Sequence, residues 1–539
     1  MLPGRRPVLL VLNGVIHTMD ASQPLVSALA VDRMSGRIVA AGDNADIRAL
    51  AGPLTETLDL GGRVALPGFT DAHTHLLMTA QSRMEVDLRE TRSEDEAVAL
   101  VKARAAVTPP DAWITGHSWD KNHWTPERFP TRASLDTVAP ETPVALTSHD
   151  YHSYWVNSEA LRRAGIDANT PEPPSGHIER DGDGQPTGML YESGAKALVE
   201  AAITPPDDDA LLAELRRVFA ELRARGVTGV HNIEGDHALH LAQRLRAAGE
   251  PGPRMLLYIP RQSLPDALRL GLEADFGDDY LRFAGVKVFM DGALGSQTAA
   301  MLDPYEGKAG EAARGLLTTT EPEMERIVRD AAKGSVGMAI HAIGDRAVKT
   351  ALDGIEAGLR AGTLHARRIR LEHVQLARPE DIQRMARLGV VASVQPFHAV
   401  VDRYTAERYW GNRYRRAYAY ETMRQAGVRL ALGSDTPVDT ADPLRILHAA
   451  INRQNDRMPG ESPWLPDQAL NMRDALYAYT VGAAWAGGQE ERQGSLAPGK
   501  LADLVALAED PFTLPPERIA DAEVAATLIG GELVYGALE

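Results

Sequence analysis

Hydrophobic positions along the chain change their period twice. Between residue 1 and about residue 66 they form short runs at 8–12, 29–31, 38–41 and 57–60, parted by Asn-Gly, Ser-Gly, Gly-Asp-Asn and Gly-Gly turn signals. Such runs predict β-strands. The far end behaves alike, with apolar runs at 503–507 and 525–529, then Gly530-Gly531, then 532–535 as the return strand of a hairpin. Strand-forming segments at both ends predict one composite β-sandwich domain built from residues 1–66 and 494–539.

The middle has the helical period. Residues 207–225 carry apolar side chains at 211, 212, 215, 218, 219 and 222, with Asp207 to cap the start and Gly226 to stop the helix before the apolar run 227–230. The unit recurs as 379–388, Gly389 and 390–394, and again as 420–426, Gly427 and 428–432. Repeated helix–glycine–apolar units predict an α/β fold with a parallel sheet, here a (β/α)8 TIM barrel over residues 67–493. Residues 80–205 fit that array poorly. They hold Trp113, Trp119, Trp124 and Trp155 with Pro/Gly/Asp clusters at 171–176 and 181–188, and read as a large insertion after barrel strand 1 that covers or lines the active site.

Composition narrows the function. The 539 residues are 44% hydrophobic and 24% charged, as in ordinary globular proteins. A net charge of −17, from 74 acidic against 57 basic residues, gives no electrostatic footprint for nucleic acid. There is no cysteine, which excludes disulfides, thiolate metal sites and a cysteine nucleophile. The apolar stretch 8–15 is too short to span a bilayer and has no small-residue cleavage site. A cytoplasmic enzyme is the expectation.

Candidate chemistry begins at His73-Thr-His75. Residues two apart on a strand face the same way, so both imidazoles can share one ion. Other candidates end apolar runs: His341 after 338–340, His373 after 369–372 and Asp435 after 430–434. A lone histidine after a strand is more often a hydrogen-bonded core or loop residue. Four of them with an aspartate, each at the C-terminal end of a strand of one barrel, converge where barrel enzymes do their chemistry. Lys287 lies inside the apolar run 283–290, where its amine is costly unless paired or modified. With the histidines beside it, a carbamate on that amine is attractive as a bridging carboxylate. Glu372 should point off axis, because it alternates with His373.

In order along the chain, His73, His75, Lys287, His341, His373 and Asp435 resemble the metal ligands that the amidohydrolase superfamily draws from barrel strands 1, 4, 5, 6 and 8. The surrounding text is similar to the YtcJ-like subgroup, which includes N-substituted formamide deformylase. It comprises Asp150-Tyr-His152-Ser-Tyr-Trp155-Val-Asn157, Asp291-Gly-Ala-Leu-Gly-Ser-Gln-Thr-Ala299, His341-Ala-Ile-Gly-Asp345-Arg346, Gly433-Ser-Asp435-Thr-Pro437 and Gly494-Ser-Leu-Ala-Pro-Gly-Lys-Leu-Ala-Asp503. Position 297 is Gln where many relatives carry Arg.

The resemblance implies a hydrolase of non-peptide C–N bonds, with the amide of a small N-acyl or N-formyl amine as substrate. It implies one or two divalent ions, zinc first, with manganese, cobalt or iron also suited to these donors. His73, His75 and Asp435 would hold one ion, His341 and His373 the other, and carbamylated Lys287 would bridge. Asp435 is the expected general base. Trp119, Asp120, His152, Gln297 and Arg346 are the expected substrate contacts. The alternatives are a hydrolytic deaminase or a cyclic amide or imide hydrolase on the same site, and an inactive binding protein. No nucleic-acid or membrane partner is expected, and a homodimer only on base rates.

Overall fold

Eight apolar runs of three to nine residues form a single parallel sheet, because each is flanked by structure on both sides. The computed structural model describes residues 8–109, 111–250, 252–360, 369–458 and 460–538. Positions 1–7 of the expected N-terminal β segment lie outside the described residues. Barrel strands 1 to 8 are Phe69–Thr74, Val227–Ile233, Arg254–Pro260, Leu281–Phe289, Gly337–Ala342, Ile369–His373, Val391–Val394 and Leu430–Leu432, hydrogen-bonded in sequence order. Strands 1, 2, 5, 6, 7 and 8 are buried at every position. That is why they read as continuous apolar runs and not as alternating ones.

The seam between strands 8 and 1 closes just beyond their ends. Asp435 N donates to His73 O at 2.8 Å, His75 N donates to Thr436 O at 2.9 Å, and Thr74 and Thr436 form a parallel bridge. Gly433 permits this approach, since a Cβ there would lie 2.6 Å from His73 N. The fold is a (β/α)8 barrel.

The outer helices follow the expected caps. Asp208–Ala224 starts on the Asp207 side chain, which accepts from Ala210 N, and Gly226 follows with φ +76°. Pro379–Leu388 ends on Gly389 at φ +67°. Both glycines occupy the left-handed region that a side chain resists.

The two chain ends meet in a β-sandwich. One sheet holds Arg37–Gly42, Ala28–Asp32, Val8–Leu12 and Thr55–Asp59; the other runs from the C-terminal strands Glu532–Gly536, Val524–Ile529 and Leu504–Leu507 into Val64–Pro67, Val15–His17 and Leu25–Val26. Leu9, Val11, Leu29 and Val31 of the first pack on Ile16, Ala65, Leu504 and Leu528 of the second. Arg254 of barrel strand 3 joins the C-terminal part by two bonds to Asp503, at 2.6 and 2.9 Å.

The insertion after barrel strand 1 has its own six-stranded sheet, from Val86–Asp87 to Pro186–Tyr191. Trp119, Trp124 and Trp155 pack against one another there, with ring centroids 5.8 to 6.3 Å apart. Among the described residues no helix is long and apolar enough to cross a membrane.

Candidate metal centre

The C-terminal ends of strands 1, 4, 5, 6 and 8 bring the expected side chains to one point. His73 and His75, two residues apart, both aim Nε2 at Asp435 Oδ1, at 3.4 and 3.0 Å. Lys287 Nζ lies 3.4 Å from His73 Nε2. The His373 ring centroid is 5.1 Å from that of His73 and 4.5 Å from that of His341. One donor atom each from His73, His373 and Asp435 lie within 4.8 Å of one another, and all three residues are buried. His341 belongs to the group, but its Nε2 is 3.0 Å from Gly292 O.

Burial sets the protonation states. It pushes the His73 imidazole down to about 4, with the Lys287 charge adding to the effect. His341 and His373 are likewise held well below the usual range, by burial first and then by Lys287 and His341 respectively. Neutral imidazoles are the form that binds metal. Burial works against charge on Asp435, but the histidines beside it outweigh burial and keep its carboxyl well below the usual range. Burial lowers the Lys287 amine to about 8, against the pull of Glu372 and Asp435.

Glu372 departs from the off-axis expectation. Its Oε2 sits 2.6 Å from His73 Nδ1 inside the barrel, and Arg370 Nε donates to its Oε1 at 2.5 Å. Strand alternation would send Glu372 and His373 to opposite faces. His373, however, has φ +73° and Val374 φ +44°, so the backbone has left the extended conformation and both side chains reach the axis. Arg370 also donates to Ala72 O, to Ser393 Oγ at 3.2 Å, and packs 2.6 Å from His231 Nδ1. Arg370 and Glu372 are both fully buried.

A cleft lined by His341, His373 and Asp435 opens onto this centre. Of the expected substrate contacts, Trp119, Asp120 and His152 line it. Trp119 is nonetheless almost fully buried, because its ring packs in the tryptophan cluster and its Nε1 donates to Leu146 O at 2.9 Å. His152 Nδ1 is 2.9 Å from Glu192 Oε2. Burial opposes protonation of His152, yet Glu192 and Asp150 outweigh it and raise the imidazole above its usual value.

Arg346 and Gln297 are not among the residues lining the cleft. Arg346 pairs with Glu311 at 2.6 Å. Asp345 does not pair with Arg346; it accepts from Leu302 N at 2.8 Å. Gln297 buries its Oε1 without a hydrogen-bond partner, one residue past the cleft-lining Ser296.

A family model described as the amidohydrolase family matches residues 56–535. The chain belongs to the amidohydrolase family. N-substituted formamide deformylase of Arthrobacter pascens is 31% identical over 544 residues, covering 98% of each chain. YtcJ of Bacillus subtilis is 30% identical over 531 residues, covering 97% of this chain and 98% of its own. Among solved structures, an uncharacterized metal-dependent hydrolase from Pyrococcus horikoshii superposes with a TM-score of 0.76 at 27% identity, over 94% of this chain and 99% of that one. This amidohydrolase is accordingly a metal-dependent hydrolase acting on C–N bonds.

Several residues of the amidohydrolase site escaped the sequence reading. Gln395 Oε1 lies 2.9 Å from His373 Nδ1, and His398, Asp402 and Asp439 line the cleft. Gln395 directly follows the apolar run 390–394, the same kind of signal that singled out His341 after 338–340. Asp71 Oδ1 accepts from His73 N at 3.2 Å and Ser434 N at 2.9 Å, and so stitches strand 1 to the turn that carries Asp435. Asp291 does the same after strand 4, accepting from Ala300, Ile343 and Gly344 N at 2.8 to 3.0 Å.

Proposed function

We propose that the chain hydrolyses the amide of a small N-acyl or N-formyl amine at a divalent metal centre. His73, His75, His341, His373 and Asp435 would hold the metal, with Lys287 as a carbamate. The observation that carries the reading is the convergence of buried His73, His373 and Asp435 donor atoms within 4.8 Å at the floor of an open cleft. Two neutral imidazoles and an ionised carboxylate fit a divalent ion, zinc first and manganese, cobalt or iron after it. Such an ion supplies Lewis acidity, which acidifies water and polarises a carbonyl. The printed activity of the Arthrobacter pascens relative supports the formamide class. We further propose residues 67–493 as the catalytic unit, with residues 1–66 and 494–539 as its β companion and an insertion at about 80–205.

The chain's own residues then have distinct tasks. Asp435 accepts the proton of the attacking water and returns it to the leaving nitrogen. Trp119, Asp120 and His152 border the bound amide. Glu372 holds the His73 Nδ1 proton, which leaves Nε2 as the free donor atom. Replacing Glu372 with Gln is expected to weaken metal binding by about 10–100-fold, read by competition with a chromophoric chelator. Unchanged affinity would remove Glu372 from that role.

The buried Lys287 amine, at about 8, has a substantial neutral fraction near neutral pH. Its nitrogen can form a bond to the carbon of CO2 and release one proton. Metal-free protein reloaded with zinc is therefore expected to recover several-fold more activity with bicarbonate than under CO2-free gas. Equal recovery would count against the carbamate. The substrate class is tested on N-formyl and N-acyl amines by amine release. Ammonia release from heterocyclic amines, with every amide inert, would favour the deaminase reading instead.

A further inference from the structure

The cleft is built with more negative charge than its metal centre uses. Its lining carries five aspartates, Asp120, Asp150, Asp402, Asp435 and Asp439, and one lysine, Lys121. Two of the five are accounted for. Asp435 belongs to the metal centre, and Asp150 accepts from Ser148 Oγ, His152 N and Ser296 N at 2.6 to 3.0 Å. Asp120 is partly satisfied by Asn122. Lys121 spends its amine on Asn122 Oδ1 at 2.6 Å and Tyr409 OH at 2.8 Å.

Asp439 is different. Its side chain is 9% exposed, and among the described residues it accepts no hydrogen bond. His398 Nε2 is 3.6 Å from its Oδ2 and 3.7 Å from Asp435 Oδ2, too far to bond either, and this nitrogen is itself buried without a partner. Nearby cations are committed elsewhere: Arg445 makes two bonds to Asp456, and Arg89 donates to Pro437 O. His149, on the same cleft wall, is not within 4.0 Å of the carboxylate.

Two further acceptors line the same cleft. Asp402 accepts one bond, from Tyr418 OH at 2.5 Å. Gln375, 4% exposed on the cleft wall, buries its Oε1 with no donor. Burial pushes Asp439 up to about 6, with the Asp435 charge adding to the effect, and Asp402 up to about 7, with the Asp439 charge adding to the effect. Buried carboxylates are costly without a counter-charge, and a buried amide oxygen without a donor adds to that cost.

We infer that Asp439, with Asp402 and Gln375, forms a subsite for a cationic group, so that the substrate is an amide carrying a second, protonated amine or a guanidinium. This rests on the amide-hydrolase reading of the metal centre. An ammonium presents donors only, which matches the under-used acceptor oxygens of Asp439, Asp402 and Gln375. His398 Nε2 lies 3.6 Å from Asp439 and 3.7 Å from Asp435, so the cation and the scissile amide would bind side by side in one cleft.

The test compares N-formyl-1,4-diaminobutane with N-formylpentylamine, which replaces the ammonium by a methyl. With the metal-loaded enzyme, kcat/KM for the cationic substrate should exceed that for the neutral one by at least tenfold. That ratio should fall at least tenfold in Asp439→Asn, and also in Asp402→Asn should the first variant fold poorly. Calorimetric binding of 1,4-diaminobutane against 1,4-butanediol, its neutral counterpart, gives a readout that needs no turnover. Diamine binding that depends on Asp439, with neither formamide hydrolysed, would keep the subsite and reject the amide reading. Hydrolysis of both formamides without preference, or no diamine preference in binding, would overturn the subsite.

Discussion

Asp435→Asn is expected to lower kcat by roughly 10²–10⁴-fold, the range for loss of a positioned general base, with the fold intact. The substitution keeps the shape of a buried side chain at φ +61° in the strand 8 turn, so packing is conserved. It removes the group that both His73 and His75 face, at 3.4 and 3.0 Å. The surrounding imidazoles keep the Asp435 carboxylate ionised despite burial, the state a proton acceptor requires. Metal content measured on the same sample separates its two tasks. Retained metal with lost turnover assigns the loss to proton transfer, and lost metal assigns it to ligation. Near-wild-type turnover would remove Asp435 from catalysis.

Arg370→Ala should cost about 3–5 kcal/mol of stability, because it leaves a buried carboxylate without its charged partner. Both side chains are fully buried, and the guanidinium binds Glu372 at two nitrogens, Ala72 O on strand 1 and Ser393 on strand 7. One residue thus ties three strands beneath the centre. Arg370 outweighs burial in holding Glu372 well below the usual carboxylate range, so removing it exposes the full desolvation penalty. Arg370→Met with Glu372→Met should recover much of the loss, since apolar replacement of a buried pair is often neutral. Urea denaturation reads both. A single-variant loss under about 1 kcal/mol would contradict this account of the barrel floor.

The barrel was legible because its signals are local. Asp207 and Gly226 bracket a helix within the chain segment itself, and apolar runs after glycines mark strands buried on both faces. The metal candidates were legible because strand ends repeat one position: His341, His373 and Asp435 each close an apolar run. Orientation failed where the backbone leaves the extended form. At His373 the positive φ turns the imidazole to the axis beside Glu372, which breaks the alternation that would have kept them on opposite faces. Arg370 hides inside an apolar run, because only the assembled barrel shows that its partner is Glu372 two residues on. Trp119 reads as a substrate contact but packs with Trp124 and Trp155, as the insertion needs a core of its own. Asp439 and His398 lie in segments after strands 8 and 7, where local sequence does not say which residues will face the cleft. Arg346 carries a motif position yet spends its charge on Glu311, a contact 35 residues away.

Metal content per chain, by plasma mass spectrometry on untagged protein purified without chelator, tests the central claim most directly. One to two equivalents of zinc, manganese, cobalt or iron are expected, with loss in the His73→Ala/His75→Ala double variant, as the convergence of those donors on Asp435 predicts. Protein that holds no metal when fresh, and takes up none on incubation, would contradict a metal-dependent hydrolase.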